Sequence, residues 1–334
     1  MILVTGGTGL VGSHLLYNLV TKDVKVRAIY RSEERRDYVK HIFSYYSSNS
    51  DLFSKIEWVN GDITDISSLS FAFNSVTHVY HCAALISFDP KDYLNLRCVN
   101  IEGTANVVNA CISHNIKKIC YVSTIAVIND DIKSDIINEN TEWNSEADHS
   151  VYAITKYGAE MEVWRGTQEG LDAIIVNPGV ILGPGFWYSG SGSLFNHIYK
   201  GIPYYTNGVT GYVDVKDVAL AMERLMDSTI KNERFILVSE GLSFKTVFQT
   251  IAKALNVKPP NKEASKTLLN IGWRLDWMNA FFRKKRRNLT KQNATSLLKI
   301  SHYDNSKIKN AIGFNYTTIK NSINEYANLF LEEL

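Results

Sequence analysis

The stretch Ile2-Leu3-Val4-Thr5-Gly6-Gly7-Thr8-Gly9-Leu10-Val11-Gly12 decides the fold. An apolar strand runs straight into glycines at 6, 9 and 12, and Leu10, Leu15, Leu16 and Leu19 then recur at helical spacing. A lone glycine triplet is a weak signal. A strand before it and a helix after it make it a dinucleotide-binding turn. Gly6 turns the chain out of the strand, Gly9 lets backbone approach a pyrophosphate, and Gly12 lets the helix pack on the sheet. The helix N-terminus adds free N–H groups and the positive end of its dipole.

Outward from this turn, apolar runs at 24–30, 56–60, 77–83, 118–123 and 171–176 read as buried strands. They alternate with helical stretches near 10–21, 33–45, 66–74, 91–114 and 150–169, and residues 45–51 read as a loop. This is the pattern of an α/β, Rossmann-type doubly wound parallel sheet covered on both faces. Asn177-Pro178-Gly179 breaks the alternation, 184–192 is rich in Gly and Ser around Phe186, Trp187 and Tyr188, and 212–239 returns to sheet-like patterning. Residues 243–255 and 316–331 read as amphipathic helices. The expected division is a dinucleotide-binding domain of 1–176 plus about 209–239. A smaller C-terminal substrate lobe, built from the discontinuous segments 177–208 and 240–334, closes a cleft over the strand ends.

Composition narrows the function. A net charge of +2 over 334 residues, with no basic stripe along a helix, argues against a nucleic-acid partner. The N-terminal apolar run is cut by glycines, so it reads as neither signal peptide nor membrane span. Cysteines 82, 98, 111 and 120 form no CxxC pair and read as buried thiols in a reducing cytosol; a cytoplasmic protein without a metal site is expected.

The chemistry centres on Tyr152-Ala153-Ile154-Thr155-Lys156, which puts a phenol and an ammonium four residues apart on one helix face. An ammonium near a phenol favours the phenolate and brings its pKa down from about 10 toward neutrality. Ser123-Thr124 closes the strand Ile119–Val122 and offers a hydroxyl to hold a carbonyl against Tyr152. His81 reads as a packed or hydrogen-bonded strand-end residue with no catalytic role, and Asp214 and Asp217 as structural.

With the glycine loop, Gly61-Asp62, His81-Cys82-Ala83-Ala84, Asn100-Ile101-Glu102-Gly103-Thr104, Tyr152/Lys156, the Asn177–Pro184 run, Tyr212–Ala219 and Tyr303–Lys307, the chain resembles the extended short-chain dehydrogenase/reductases over nearly its whole length. In pattern it is most similar to dihydroflavonol reductase-like carbonyl reductases. The resemblance implies that Asp62 holds the adenine amine, Ala83 and Ala84 line the nicotinamide side, Lys156 holds the nicotinamide ribose, and Pro178 to Ile181 position the carboxamide. The implied cofactor set is Gly6, Thr8, Gly9, Leu10, Val11, Gly12, Arg31, Asp62, Ile63, Ala83, Ala84, Asn100, Val122, Tyr152, Lys156, Pro178, Val180 and Ile181. Substrate contacts are expected from Ile86, Ser87, Asn129 and Phe186. The family usually places Ser at the catalytic hydroxyl. Counting back from Val127 selects Thr124, with Ser123 as the backup.

Where an acidic residue would grip a ribose 2′-OH, the chain has Tyr30-Arg31-Ser32 with Arg35 and Arg36 just beyond, which selects NADPH over NADH. The leading expectation is therefore an NADPH-dependent reductase of an aldehyde or ketone, with Tyr152 as proton donor beside Lys156 and Thr124. The alternatives are an NAD-dependent nucleotide-sugar epimerase or dehydratase, and a non-catalytic cofactor-binding regulatory protein. Relatives pair through the helices carrying Asn100 and Tyr152, so a homodimer is also expected. The run Arg283-Lys284-Lys285-Arg286-Arg287, after Trp273, Trp277, Phe281 and Phe282, reads as a solvated loop beside a hydrophobic lid, with a membrane-surface segment as the alternative.

Overall fold

The computed structural model describes residues 1–49, 51–128, 136–283, 287 and 289–334, so Asn129 lies outside the described residues. Alternate residues of the N-terminal strands divide between two apolar layers, as a sheet buried on both faces requires. Val4, Ala28, Tyr80, Cys120 and Ile174 face one layer; Leu3, Ile29, Val79, Ile119 and Ile175 face the other. The strands form one parallel sheet in the order Glu233–Leu237, Asp172–Pro178, Lys118–Val122, His78–His81, Ile2–Thr5, Val26–Tyr30, Ile56–Asn60. The order reverses between Ile2–Thr5 and His78–His81. A crevice opens there at the carboxyl ends of the strands, where Thr5 is in register with His81.

The helices Leu10–Thr21 and Val215–Asp227 cover the first layer with Leu15, Leu16, Leu19, Val218, Met222 and Leu225. The helices Gly103–Ser113 and Val151–Gln168 cover the second with Val107, Val108, Ala159 and Val163. Each such Leu or Val contributes about 1.5–3 kcal/mol on burial.

Three expectations need correction. The stretch 212–239 is not continuous sheet, because Val215–Asp227 is a helix. The alternation Val213-Asp214-Val215-Lys216-Asp217-Val218 mimics a strand, but the buried set Val215, Val218, Ala219, Met222, Leu225 and Met226 has helical spacing. The expected helix 91–114 is interrupted by a π-helical turn over Arg97–Glu102, between the helices Tyr93–Leu96 and Gly103–Ser113. Cys98 is exposed and Cys82 half-buried, so only Cys111 and Cys120 fit the description of buried thiols.

After Pro178 the chain enters a second sheet, in which Val209–Asp214 pairs parallel with Val180–Leu182 and antiparallel with Glu240–Ser243. The strand Val209–Asp214 thus belongs to the small sheet, and the chain returns to the large one only at Glu233. The helices Ser193–Tyr199, Phe244–Ala254 and Ile319–Glu332 pack around Trp187, Phe195, Tyr212, Val247 and Phe330.

Asp214 joins these parts. Its fully buried carboxylate caps the Val215–Asp227 helix by accepting from Lys216 N–H at 2.7 Å, and accepts from Ser322 Oγ and, at 2.6 Å, from Tyr326 Oη of the C-terminal helix. Asp217 accepts from Thr317 N–H at 2.7 Å and from its hydroxyl at 3.1 Å. Asp214→Ala removes a cap, strands the buried Tyr326 hydroxyl and leaves the Ser322 hydroxyl only the longer contact to Thr318 O at 3.3 Å. It is expected to cost about 3–5 kcal/mol, read as a lower urea midpoint at an unchanged slope. An unchanged midpoint would refute the anchoring role.

Candidate active site

The glycine turn sits in the crevice of the large sheet. Gly6 has φ +69°, and a Cβ there would lie 2.5 Å from the Ala83 nitrogen of the next strand end. A Cβ on Gly12 would lie 2.2 Å from Gly6 O, so the first helix packs directly on the loop. Gly9 differs, since a Cβ there meets only Gly6 O, at 3.4 Å. Nothing in the protein demands a glycine at 9. The space it leaves opens into a groove lined by Gly6, Thr8, Gly9, Arg31, Asp62, Ile63, Ala83 and Ala84. As N-cap of the Leu10–Thr21 helix, Gly9 brings no side-chain acceptor, and no acidic residue occupies the first turn. This cradle fits the pyrophosphate of a dinucleotide.

At the outer end of the groove, Arg31 donates to Asp62 Oδ2 at 3.2 Å, and Arg35 lines the same wall. Burial would raise the Asp62 carboxyl, but hydrogen bonds from the Thr64 N–H and hydroxyl and from Arg31 outweigh it and hold the group below its usual range. Arg36 is engaged elsewhere, over the Tyr30 ring at 5.0 Å and on Asp37 at 3.0 Å. The other expected cofactor residues lie outside this groove. Leu10, Val11 and Gly12 form the first helical turn, Val122 ends its strand, and Pro178, Val180 and Ile181 lie two strands from His81 or in the small sheet.

Asn100, expected at the cofactor, spends its amide inside the protein. It accepts from Leu85 N–H at 2.7 Å and donates to Leu85 O at 3.0 Å and to Thr155 Oγ1 at 3.2 Å. The π-helical turn carries it inward, and its influence on a ligand runs through the loop that follows Ala83-Ala84. His81 bridges Thr5 Oγ1 at 2.6 Å and Thr104 Oγ1 at 3.0 Å, and burial lowers its pKa to about 3, so it stays neutral.

Ser123 and Thr124 have different tasks. The Ser123 hydroxyl is buried and donates to Glu160 Oε2 at 2.6 Å, a carboxylate that also accepts from Asn177 Nδ2 at 3.0 Å. Thr124 is half-buried; its hydroxyl accepts from Ala126 N–H at 3.2 Å and, among the described residues, donates to nothing. Lys156 ties the Tyr152 helix to this strand end by donating to Val122 O at 2.8 Å and to Tyr121 Oη at 2.6 Å. Burial lowers the Lys156 ammonium to about 7, against the opposing charge of Glu160. The phenol departs from expectation: burial pushes Tyr152 up to about 12, because the ammonium is directed at Tyr121 and Val122 instead. Tyr152 therefore holds its proton at neutral pH.

On the substrate side, the Phe88 ring meets Tyr152 edge-on with centroids 5.5 Å apart, a wall the sequence reading missed. Ile86 is exposed beside it, while the Ser87 hydroxyl is engaged with Asp92 Oδ2 at 2.6 Å. Phe186 is half-buried and meets Tyr38 edge-on at 5.8 Å, whereas Trp187 is buried in the core of the small sheet and presents no free aromatic face. Glu160 and Tyr121 were also missed. For Glu160 the available signal was its place one turn beyond Lys156 on the same helix face.

This fold and crevice define a dinucleotide-binding α/β protein. Residues 2–237 match the profile of the NAD dependent epimerase/dehydratase family, and the chain belongs to that family as an NAD(P)-dependent oxidoreductase. It is 28% identical over 281 residues to a putative dihydroflavonol 4-reductase of Synechocystis sp., covering 81% of this chain and 77% of that one. Cinnamoyl-CoA reductase 1 of Petunia hybrida is 26% identical over 266 residues, covering 76% and 77%. The crystal structure of gox2253 superposes with a TM-score of 0.82 at 23% identity, over 100% of this chain and 98% of that one. Yeast methylglyoxal/isovaleraldehyde reductase Gre2 complexed with NADPH covers 99% of this chain and 98% of its own, and Thermus thermophilus UDP-glucose 4-epimerase complexed with NAD covers 100% and 99%. Both have a TM-score of 0.75 at 20% identity, which shows a shared fold.

The glycines separate folding from binding. Gly9→Ala is expected to change stability by less than about 1 kcal/mol, and to weaken the nicotinamide dinucleotide at least about tenfold in a fluorescence titration. Gly12→Ala forces its Cβ onto Gly6 O and is expected to cost about 1–3 kcal/mol or more in urea unfolding. Unimpaired dinucleotide binding by the Gly9 variant would remove the pyrophosphate from this loop.

Proposed function

We propose that the protein reduces the carbonyl of an aldehyde or ketone with NADPH, with Tyr152 giving the proton. The observation that carries this reading is the pair of hydroxyls at one strand end. Ser123 is committed to Glu160, whereas among the described residues the Thr124 hydroxyl has no acceptor and the Tyr152 hydroxyl no partner, which leaves both for a ligand. The bound nicotinamide supplies the hydride. Thr124 Oγ1 donates to the carbonyl oxygen and orients it. Tyr152 Oη passes its proton to that oxygen as negative charge develops, and a phenol protonated at neutral pH suits this reductive direction. Lys156 holds the nicotinamide ribose and offers positive charge to the phenolate that remains. Phe88 gives the pocket an aromatic wall, and the relatives named as dihydroflavonol and cinnamoyl-CoA reductases support an apolar or aromatic carbonyl substrate. Arg31 and Arg35 at the ribose end support the 2′-phosphate of NADPH, as does the NADPH named for the yeast neighbour.

Two measurements test this. Tyr152→Phe is expected to cut aldehyde or ketone turnover at least about 100-fold with NADPH affinity intact, and Thr124→Ala to lower kcat more than stability. Ser123→Ala should do the reverse, costing about 1–3 kcal/mol of stability because Glu160 loses a donor. A crippling Ser123→Ala beside a harmless Thr124→Ala would reassign the hydroxyl.

Arg31→Ala should weaken NADPH about 10- to 100-fold, the scale of one charge-assisted contact of about 1.5–3 kcal/mol, and leave NADH nearly unchanged. Equal affinity of the unaltered protein for both cofactors would overturn the NADPH assignment. Purification with stoichiometric NAD⁺, together with nucleotide-sugar conversion without net cofactor use, would establish an epimerase or dehydratase instead.

A further inference from the structure

The helix Lys266–Arg283 carries its apolar stripe on the outside. Leu268, Ile271, Leu275, Met278 and Phe282 are 39, 51, 58, 46 and 75% exposed, although Ala280 on the inward side is buried. The spacing i, i+3, i+7, i+10, i+14 places all five in one narrow strip about 21 Å long. A single exposed leucine needs no explanation, but a continuous strip pointing away from the core does.

The charges of this helix have one sign on its open surface. Lys266, Arg274 and Arg283 are exposed. Its single acid, Asp276, is 16% exposed and turned toward the body of the protein, accepting from Leu289 N–H at 3.2 Å and lying 3.9 Å from Arg287. The sequence then continues through Arg283-Lys284-Lys285-Arg286-Arg287. Apolar side chains flanked by cations, with no outward acid, complement a surface that is anionic outside and hydrocarbon within. No helix among the described residues is long and apolar enough to cross a membrane, so this one would lie in the interface plane.

We propose that the Lys266–Arg283 helix docks the protein on the surface of an anionic lipid bilayer. Arg287, four residues beyond the end of the helix, touches the segment that carries Phe88. Its N–H donates to Asp89 at 3.0 Å, and the neighbouring Phe88 stands against Tyr152, so docking brings that segment toward the bilayer. A second copy of the chain could instead cover the apolar strip, but like charges would then face one another along both helices.

Co-sedimentation of the full-length protein with vesicles of phosphatidylcholine and phosphatidylglycerol in equal parts tests the proposal. Binding is expected to fall at least about tenfold on pure phosphatidylcholine and to weaken with salt. Ile271→Asp/Leu275→Asp should reduce it at least about tenfold with the melting temperature lowered by no more than a few degrees, since more than half of each side chain is exposed. Arg274→Glu/Arg283→Glu keeps the apolar strip and should abolish only the preference for anionic vesicles. The proposal is overturned if the unaltered protein stays in the supernatant with anionic vesicles, or if the Asp variant binds like it. It is equally overturned by a dimer in gel filtration that the Asp substitutions split while vesicle binding persists.

Discussion

The arrangement of the active site depends on one buried carboxylate. Glu160 is fully buried and accepts from Ser123 Oγ at 2.6 Å, Asn177 Nδ2 at 3.0 Å, Trp164 Nε1 at 3.4 Å and Arg234 Nη1 at 3.4 Å. Those partners fasten the helix Val151–Gln168 to three adjacent strands, Lys118–Val122, Asp172–Pro178 and Glu233–Leu237. A buried carboxylate is tolerated only with its lone pairs satisfied and a cation beside it, and removing one partner of such a pair costs about 3–5 kcal/mol. Arg234 is held in turn by Glu139 O at 2.7 Å and Thr141 O at 2.9 Å, so its charge cannot drift from the site. The difference between the two hydroxyls follows: the one that satisfies Glu160 is withdrawn from solvent, and the next, Thr124, stays half-buried with no acceptor among the described residues.

Glu160 also links the site to the division of the chain between two sheets. Asn177 donates to it and to Thr124 O at 3.2 Å, one residue before Pro178 ends the long strand and two before Gly179 donates to Leu237 O at 3.0 Å. The chain leaves the large sheet at a point fixed from the interior by a side-chain amide. Asn100 fixes the opposite wall in the same way, holding both backbone groups of Leu85. Asn100 uses the donor and the acceptor of one rigid amide plane to stand in for a missing strand partner, whereas Asn177 works through its donor alone.

What was legible in the sequence was local. The strand, glycine turn and first helix are continuous in the chain, and so are Tyr152 and Lys156, whose spacing alone puts them on one face. What escaped was joined across distance. Glu160 meets Ser123 from 37 residues away and Arg234 from 74, and Phe88 reaches Tyr152 through a loop. Val215–Asp227 was hidden by an alternating stretch at its start, which a period of two describes as well as a helix until Met222 and Leu225 are counted. The aromatic residues 186–187 signalled apolar character without direction, and the small sheet took Trp187 for its own core.

Spacing also fixes which side chains share a helix face without fixing where a flexible one points. Lys156 has three N–H donors and gives two of them to Tyr121 Oη and Val122 O. One donor is left for a group arriving in the crevice. Burial lowers its ammonium to about 7, so a negative charge placed beside it favours the charged form. The Tyr152 phenol, at about 12, has the opposite bias and gives up its proton only when an acceptor of comparable basicity stands beside it. A carbonyl oxygen gaining negative charge is such an acceptor, and water alone is not. The Tyr152 phenol thus keeps its proton, while the Lys156 amine one helical turn away is turned to the strand end at Tyr121 and Val122.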